Sequence, residues 1–337
     1  MRGIRLLLLI VGSSLCLALF WRIGPSAVAA AFTALSWWLP LLLLFPACLM
    51  TGCDTLGWRW AFRRDRVRLG KLFLARLAGE AVNVTTPTAS VGGEPVKVWL
   101  IRAEVPLAES LPSVVIAKTT STIAQALFLL VGILVARRTL PTGSGLLLGM
   151  QWLLGLECLA TAGFVAVQVL GGTGGLGRIL QRLGLFGAGG RPSAFGRIDQ
   201  EFAHFYRHEP RRLALSIGWH FGGWLLGVLE TYLILQALGV PVPLATAAVV
   251  DVFGAGVGFA AFFVPARLGA QEAGDIAIFT ALGLGAPVAL AFTLIRRLRE
   301  AVWAGLGYLA FVSLQRSAAP SAAAASPAPV VALGPEV

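Results

Sequence analysis

Pro87-Thr88-Ala89-Ser90-Val91-Gly92-Gly93-Glu94, with Lys97 and Arg102 close behind and Lys118 inside the apolar helix that follows, is a frame this chain uses twice. Near the C-terminus Pro265 precedes Glu272 by seven residues, as Pro87 precedes Glu94. Arg296 follows Glu272 by 24 residues, as Lys118 follows Glu94. All three pairs share an offset of 178. Each copy follows an apolar run, 71–84 or 244–264, and leads into a long apolar helix carrying a cation. Gly92-Gly93 falls opposite Ala270-Gln271, with Gly269 one place away. Proline-interrupted hydrophobic segments at corresponding places in two halves point to a transporter-like binding site between them. Chance agreement at three positions is the competing reading, and the matching flanks favour a repeat.

The composition sets the medium. Of 337 residues, 57% are hydrophobic and 13% charged, which excludes a soluble α/β enzyme and indicates a polytopic membrane protein. A hydrocarbon core about 30 Å thick takes about 20 apolar residues per helix. Residues 4–24 read as a retained first helix, because Trp21-Arg22 stands where a signal peptide has small residues. Further spans are expected over 32–52, 107–136, 146–170, 213–238 and 286–315. Residues 72–86 are too short to cross, are interrupted by Arg76, Glu80 and Asn83, and end where Pro87 breaks the helix. The segments 72–101 and 244–284 are therefore read as re-entrant hairpins, backbone that survives at membrane depth when buried in protein or lining a wet cavity.

The expected fold is an all-α polytopic transmembrane bundle of about six full spans and two re-entrant hairpins. It is one membrane domain over 1–316, with halves of about 1–138 and 146–316, a basic connection at 171–212 and a disordered tail at 317–337. The net charge of +11 follows from topology rather than from nucleic-acid binding, since the basic residues sit in short connections. Those connections share one face with both termini, which makes that face cytoplasmic. Arg137 and Arg138 are exceptions. Three crossings per half make the halves inverted. Anionic lipid headgroups are the expected partners. A homodimer or a lipid-biosynthesis protein is a further partner class. No cofactor or metal is expected: Cys16, Cys48, Cys53 and Cys158 have no zinc spacing, and His204 with His208 suits a solvated amphipathic face.

Chemistry concentrates on the last helix, where Ile295-Arg296-Arg297-Leu298-Arg299-Glu300 interrupts apolar sequence. Arg296 lies about 14 Å into that helix, near the midplane. Each arginine there costs about 2.5–3.5 kcal/mol, and the group on the order of 10 kcal/mol. Arg296 can share a face with Glu300, and Glu272, Asp275 and Asp251 are the acids available to the other arginines. An ion network that only fixes packing is the alternative. Lys118, Thr122 and Gln125 line one face of the 107–136 helix like a cavity wall, whereas Thr120 and Ser121 suit helix–helix hydrogen bonding as well. Gly92 and Gly93 can bring backbone N–H groups to an anionic headgroup, or merely permit the bend. Glu94 and Glu272 are read as holding cations in place. His220, Glu230 and Glu157 are lone polar groups in helices. No nucleophile–base constellation emerges, so no catalytic residue is assigned.

An apolar run closing on Pro87, then Gly93-Glu94 with Lys97, and later Pro265-x-x-x-Gly269-x-x-Glu272-x-Gly274 before a charged last helix, resembles the transmembrane domain of lysylphosphatidylglycerol synthases. That flippase-like family of bacterial inner-membrane proteins includes stand-alone members found with hopanoid biosynthesis. The resemblance spans about residues 4–315 and implies movement of an aminoacylated or otherwise modified lipid between leaflets. It assigns both Gly–Glu turns and the charged last helix to the central site. Gln271 stands where the family pattern leads one to expect a basic residue, Lys97 where it leads one to expect arginine, and no aminoacyl-transferase domain is seen. The expected function is thus a lipid flippase or transporter, not an enzyme. Lys118, Arg296, Arg297 and Arg299 would bind an anionic headgroup, held by Glu94, Glu272 and Glu300. A membrane-embedded enzyme, accessory or scaffold protein of lipid, hopanoid or polyprenyl-glycan biosynthesis is the alternative.

Overall fold

A chain in hydrocarbon must satisfy its backbone internally, and helices do so within one segment. The computed structural model describes residues 38–64, 67–86, 92–141, 143–170, 192–261, 267 and 269–318. The expected first helix at 4–24, Pro87, Pro265, residues 171–191 and the tail beyond Ala318 lie outside the described residues. Ten α-helices account for most of the rest, and no strand occurs among the described residues. In chain order they are α1 (Trp38–Ala61), α2 (Leu69–Thr85), α3 (Gly93–Ile101), α4 (Leu107–Ala136) and α5 (Gly145–Val169). Then come α6 (Pro192–His208), α7 (Pro210–Ala237), α8 (Leu244–Ala260), α9 (Ala270–Ala281) and α10 (Ala286–Ala318). Leu39–Ala61, Leu107–Ala136 and Gly145–Val169 are long and apolar enough to cross a membrane. Trp152, 75% exposed, and Leu159, 72% exposed, give α5 an apolar outward face. Helices α7 and α10, with 28 and 33 residues, are also long enough to cross but are interrupted by charge.

Two boundaries differ from expectation. The second helix was expected to end at 52, yet α1 continues to Ala61 because Trp58, Ala61 and Phe62 are buried in a core with Leu72 and Ile101. The basic connection 171–212 contains α6, which buries Phe202 and Phe205 and turns Arg207 and His208 outward. The stacked rings of His204 and His208 lie on that amphipathic helix, 4.8 Å apart.

The repeat is visible in the packing, with a changed register. Helices α2 and α8 both have 17 residues, about 25 Å of helix, and start and end 175 residues apart. Each packs on the long helix of the other half, α2 on α10 and α8 on α4, while α1 packs on α7. The contact that seats them occurs twice. A side chain on Gly132 of α4 would collide with Val252 of α8, and one on Gly307 of α10 would collide with Leu77 and Ala81 of α2. Gly132 and Gly307, like Leu77 and Val252, are 175 residues apart. Only the second limb of each hairpin keeps the 178 spacing, through Glu94 and Glu272. Lys118 and Arg296 are therefore not counterparts: the packing matches Lys118 to Thr293 and Arg296 to Ser121.

Candidate functional site

Among the described residues, most charged side chains inside the bundle fall into two clusters, and Glu157 of α5, buried, belongs to neither. In the first, Arg76, Glu80 and Asn83 follow the i, i+4, i+7 spacing that puts them on one face of α2. Gly79 and Gly93 let α3 approach that face so closely that a side chain on Gly93 would overlap the Gly79 carbonyl. The Gly93 N–H donates to Asn83 Oδ1 at 2.7 Å, so it serves the hairpin rather than a ligand. Gly92 has an ordinary helical φ of −63°. Lys97, buried, reaches back one turn to Glu94 at 2.9 Å, and Asn83 donates to Glu94 at 3.3 Å. Arg76 bonds Asp54 of α1 at 2.5 Å, and Asp54 accepts from Nδ1 of His220 on α7 at 3.0 Å.

These groups surround a pocket of about 40 Å³ lined by Trp58, Arg76, Glu80, Glu94, Lys97, Val114, Ala117, Lys118 and Ser121. At about 10–15 Å³ per water it has room for about three waters, and in this conformation it is too small for a whole lipid headgroup. Glu80 and Lys118 are exposed, while Arg76 and Lys97 lie deeper, 16% and 6% exposed. Three cations and two acids thus face one small space.

In the second cluster, the arginines of α10 meet acids from three other elements. Arg296 contacts Asp251 of α8 at 3.0 Å and Glu230 of α7 at 3.8 Å. Arg299 pairs with the same Glu230 oxygen. Arg297 contacts Glu272 of α9 and Glu300 at 3.0 Å each. Glu272 also accepts the Gly269 N–H at 2.7 Å, capping α9 where Gly269 has φ 77°, a conformation that favours glycine. Asp275 is held by Thr293 at 2.9 Å and Gln271 at 3.1 Å. Desolvating three guanidinium groups is costly, and hydrogen-bonded acids offset it.

The sequence-derived residues divide accordingly. Glu94, Lys97 and Lys118 meet in the first cluster, and Arg296, Arg297, Arg299, Glu272 and Glu300 in the second. The expected Arg296–Glu300 pairing is replaced, because Glu300 hydrogen-bonds Arg297 one turn away instead. Gln125 donates to the Ala255 carbonyl at 3.2 Å and Thr122 to the Lys118 carbonyl at 3.0 Å, so both face backbone rather than the pocket. Thr120 makes the helix–helix bond to Ser216 at 2.8 Å, whereas Ser121 lines the pocket. Asp54, which the sequence reading missed, and Glu230, which it gave no partner, anchor the two clusters. Both acids sit in otherwise apolar helical stretches, and that is the signal that could have found them.

The family model described as the lysylphosphatidylglycerol synthase TM region matches residues 4–307. The chain belongs to this family. The match takes in both hairpins, both clusters and the seats at Gly132 and Gly307. No curated protein and no solved structure matches the chain.

Proposed function

We propose that this family member moves a phosphate-bearing lipid between leaflets of the bacterial inner membrane, and that the pocket between α1, α2, α3 and α4 takes the headgroup. The observation that carries the reading is this pocket, with charges of both signs set among apolar helices. Arg76, Lys97 and Lys118 suit a phosphate; Glu80 and Glu94 suit an amine such as the lysyl group in the family's name. Intramembrane ionisable residues that reach a cavity mark substrate paths more often than packing devices. The arginines of α10, each held by acids, act here as the frame of the second half rather than as headgroup ligands. The hairpins enter from opposite faces, both termini are cytoplasmic, and rocking of the packed units gives alternating access.

The test is leaflet exchange of fluorescent phosphatidylglycerol and of its lysyl ester in proteoliposomes. A charge-assisted hydrogen bond contributes about 1.5–3 kcal/mol, so Lys118→Gln should slow exchange about ten- to hundredfold. Glu80→Gln should slow the lysyl lipid more than the unmodified one. Exchange that proceeds at the wild-type rate in the Lys118→Gln, Arg76→Gln double variant would exclude the pocket.

A further inference from the structure

His220 is 1% exposed, and its Nδ1 meets Asp54, whose other oxygen holds Arg76 at the pocket. Asp54 is a carboxylate that can only accept, so Nδ1 carries the proton and Nε2 is the open base. Nε2 is buried without a hydrogen-bond partner and lies against Gly57, which has no side chain to offer. The charges acting on the imidazole are Asp54 from α1, Arg76 from α2 and Lys97 from α3. Helix α4 meets this part of α7 through Thr120 on Ser216 and brings Lys118 to the pocket. Helix α6 offers Tyr206, engaged by Gln168. Asp251 of α8 and Arg296 and Arg299 of α10 gather at Glu230, about 15 Å farther along α7.

We propose that His220 is a proton-binding site coupled to the headgroup through Asp54 and Arg76. This rests on the lipid-transport reading above. A phosphate that draws the Arg76 guanidinium into the pocket leaves Asp54 facing a neutral imidazole in a medium of low dielectric. One proton from water then enters at Nε2, and the hydrogen bond from Nδ1 to Asp54 becomes an ion pair. The Nε2–H is unpaired in either state, so the difference is electrostatic. Without the phosphate Asp54 stays shared with Arg76, whose charge faces the imidazolium, and the proton is not kept. Linkage makes the effect reciprocal: the proton weakens the hold of Asp54 on Arg76 and favours the phosphate. A phosphate monoanion and one proton cross together, and no net charge moves.

The experiment uses the full chain in phosphatidylcholine vesicles with a trace of fluorescent phosphatidylglycerol and a lumenal pH dye. An imposed pH difference should drive the lipid toward the alkaline leaflet, up to about tenfold in leaflet ratio per pH unit. Proton entry should accompany it, and an imposed membrane potential should leave the ratio unchanged. In His220→Asn, which keeps an N–H toward Asp54, exchange should settle at equal leaflets whatever the gradient. Wild-type exchange indifferent to the pH difference overturns the coupling and leaves the transport reading standing, with or without a folded variant. A gradient response that persists in His220→Asn also overturns it. No wild-type exchange at all removes both.

Discussion

Beside α4 the first half keeps an open, charged pocket; at the repeat-related place beside α10 the second half puts its own guanidinium. Ser121, which lines the pocket, corresponds to Arg296, and Arg76 corresponds to Asp251, the acid that Arg296 meets at 3.0 Å. Lys97 corresponds to Asp275, and Lys118 to the Thr293 that bonds it. One scaffold thus carries a pocket bordered by charges of both signs and, at the related place, a site filled by ion pairs. The difference teaches that intramembrane charge alone does not locate a ligand. Both halves pair their charges, Arg76 with Asp54 and Lys97 with Glu94 as Arg296 with Asp251; what distinguishes them is whether a pocket is left beside the pairs.

If the second cluster is a frame, removing its shared acid should produce the largest effect. Glu230→Ala leaves Arg299 without its ion-pair partner and Arg296 with one fewer, and breaking such a buried pair costs about 3–5 kcal/mol. Thermal unfolding in detergent should show this, and a loss below about 1 kcal/mol would erase the contrast between the halves. The repeated seat should give the next effect. Gly132→Ala and Gly307→Ala should each cost about 1–3 kcal/mol, because overpacking shifts the neighbours. Gly307→Ala should cost more, since it meets the Leu77 carbonyl where Gly132→Ala meets only the Val252 side chain. Equal stability of both variants to wild type would argue against the matched packing. The smallest effect belongs outside both clusters. Arg63 lies 3.7 Å from Glu201 with 43% of its side chain exposed, so Arg63→Ala should change stability by about 0–1 kcal/mol.

Much of the architecture was legible because hydrocarbon limits the choices. The 107–136 span matched α4 to the residue, and the segments read as 72–101 and 244–284 each hold two helices, α2 with α3 and α8 with α9. The end of α1 was hidden, since Arg59 and Arg63 read as a connection until Trp58 is seen buried. The register of the repeat was hidden too. A single offset cannot describe limbs that keep different spacings, so Lys118 aligned with Arg296 although the packing sets it against Thr293. Site residues were legible as types but not as pairs. Arg76 and Asp54 are 22 residues apart and Arg299 and Glu230 are 69 apart, and only the docking of helices brings them together. The spacing of Arg76, Glu80 and Asn83 was on the page, yet it registers as a face only once α2 is known to be a continuous helix through Thr85.

Helix α2 rests on α10, with Gly307 under Leu77 and the Thr85 hydroxyl 2.5 Å from that of Tyr308, while α8 rests on α4. Each arm is therefore held in the other half's hand. Any movement large enough to widen the pocket must carry a piece of the N-terminal sequence together with a piece of the C-terminal one. Neither half expressed by itself would have its partner's seat to close on, so two co-expressed fragments should be needed to rebuild what one uncut chain makes.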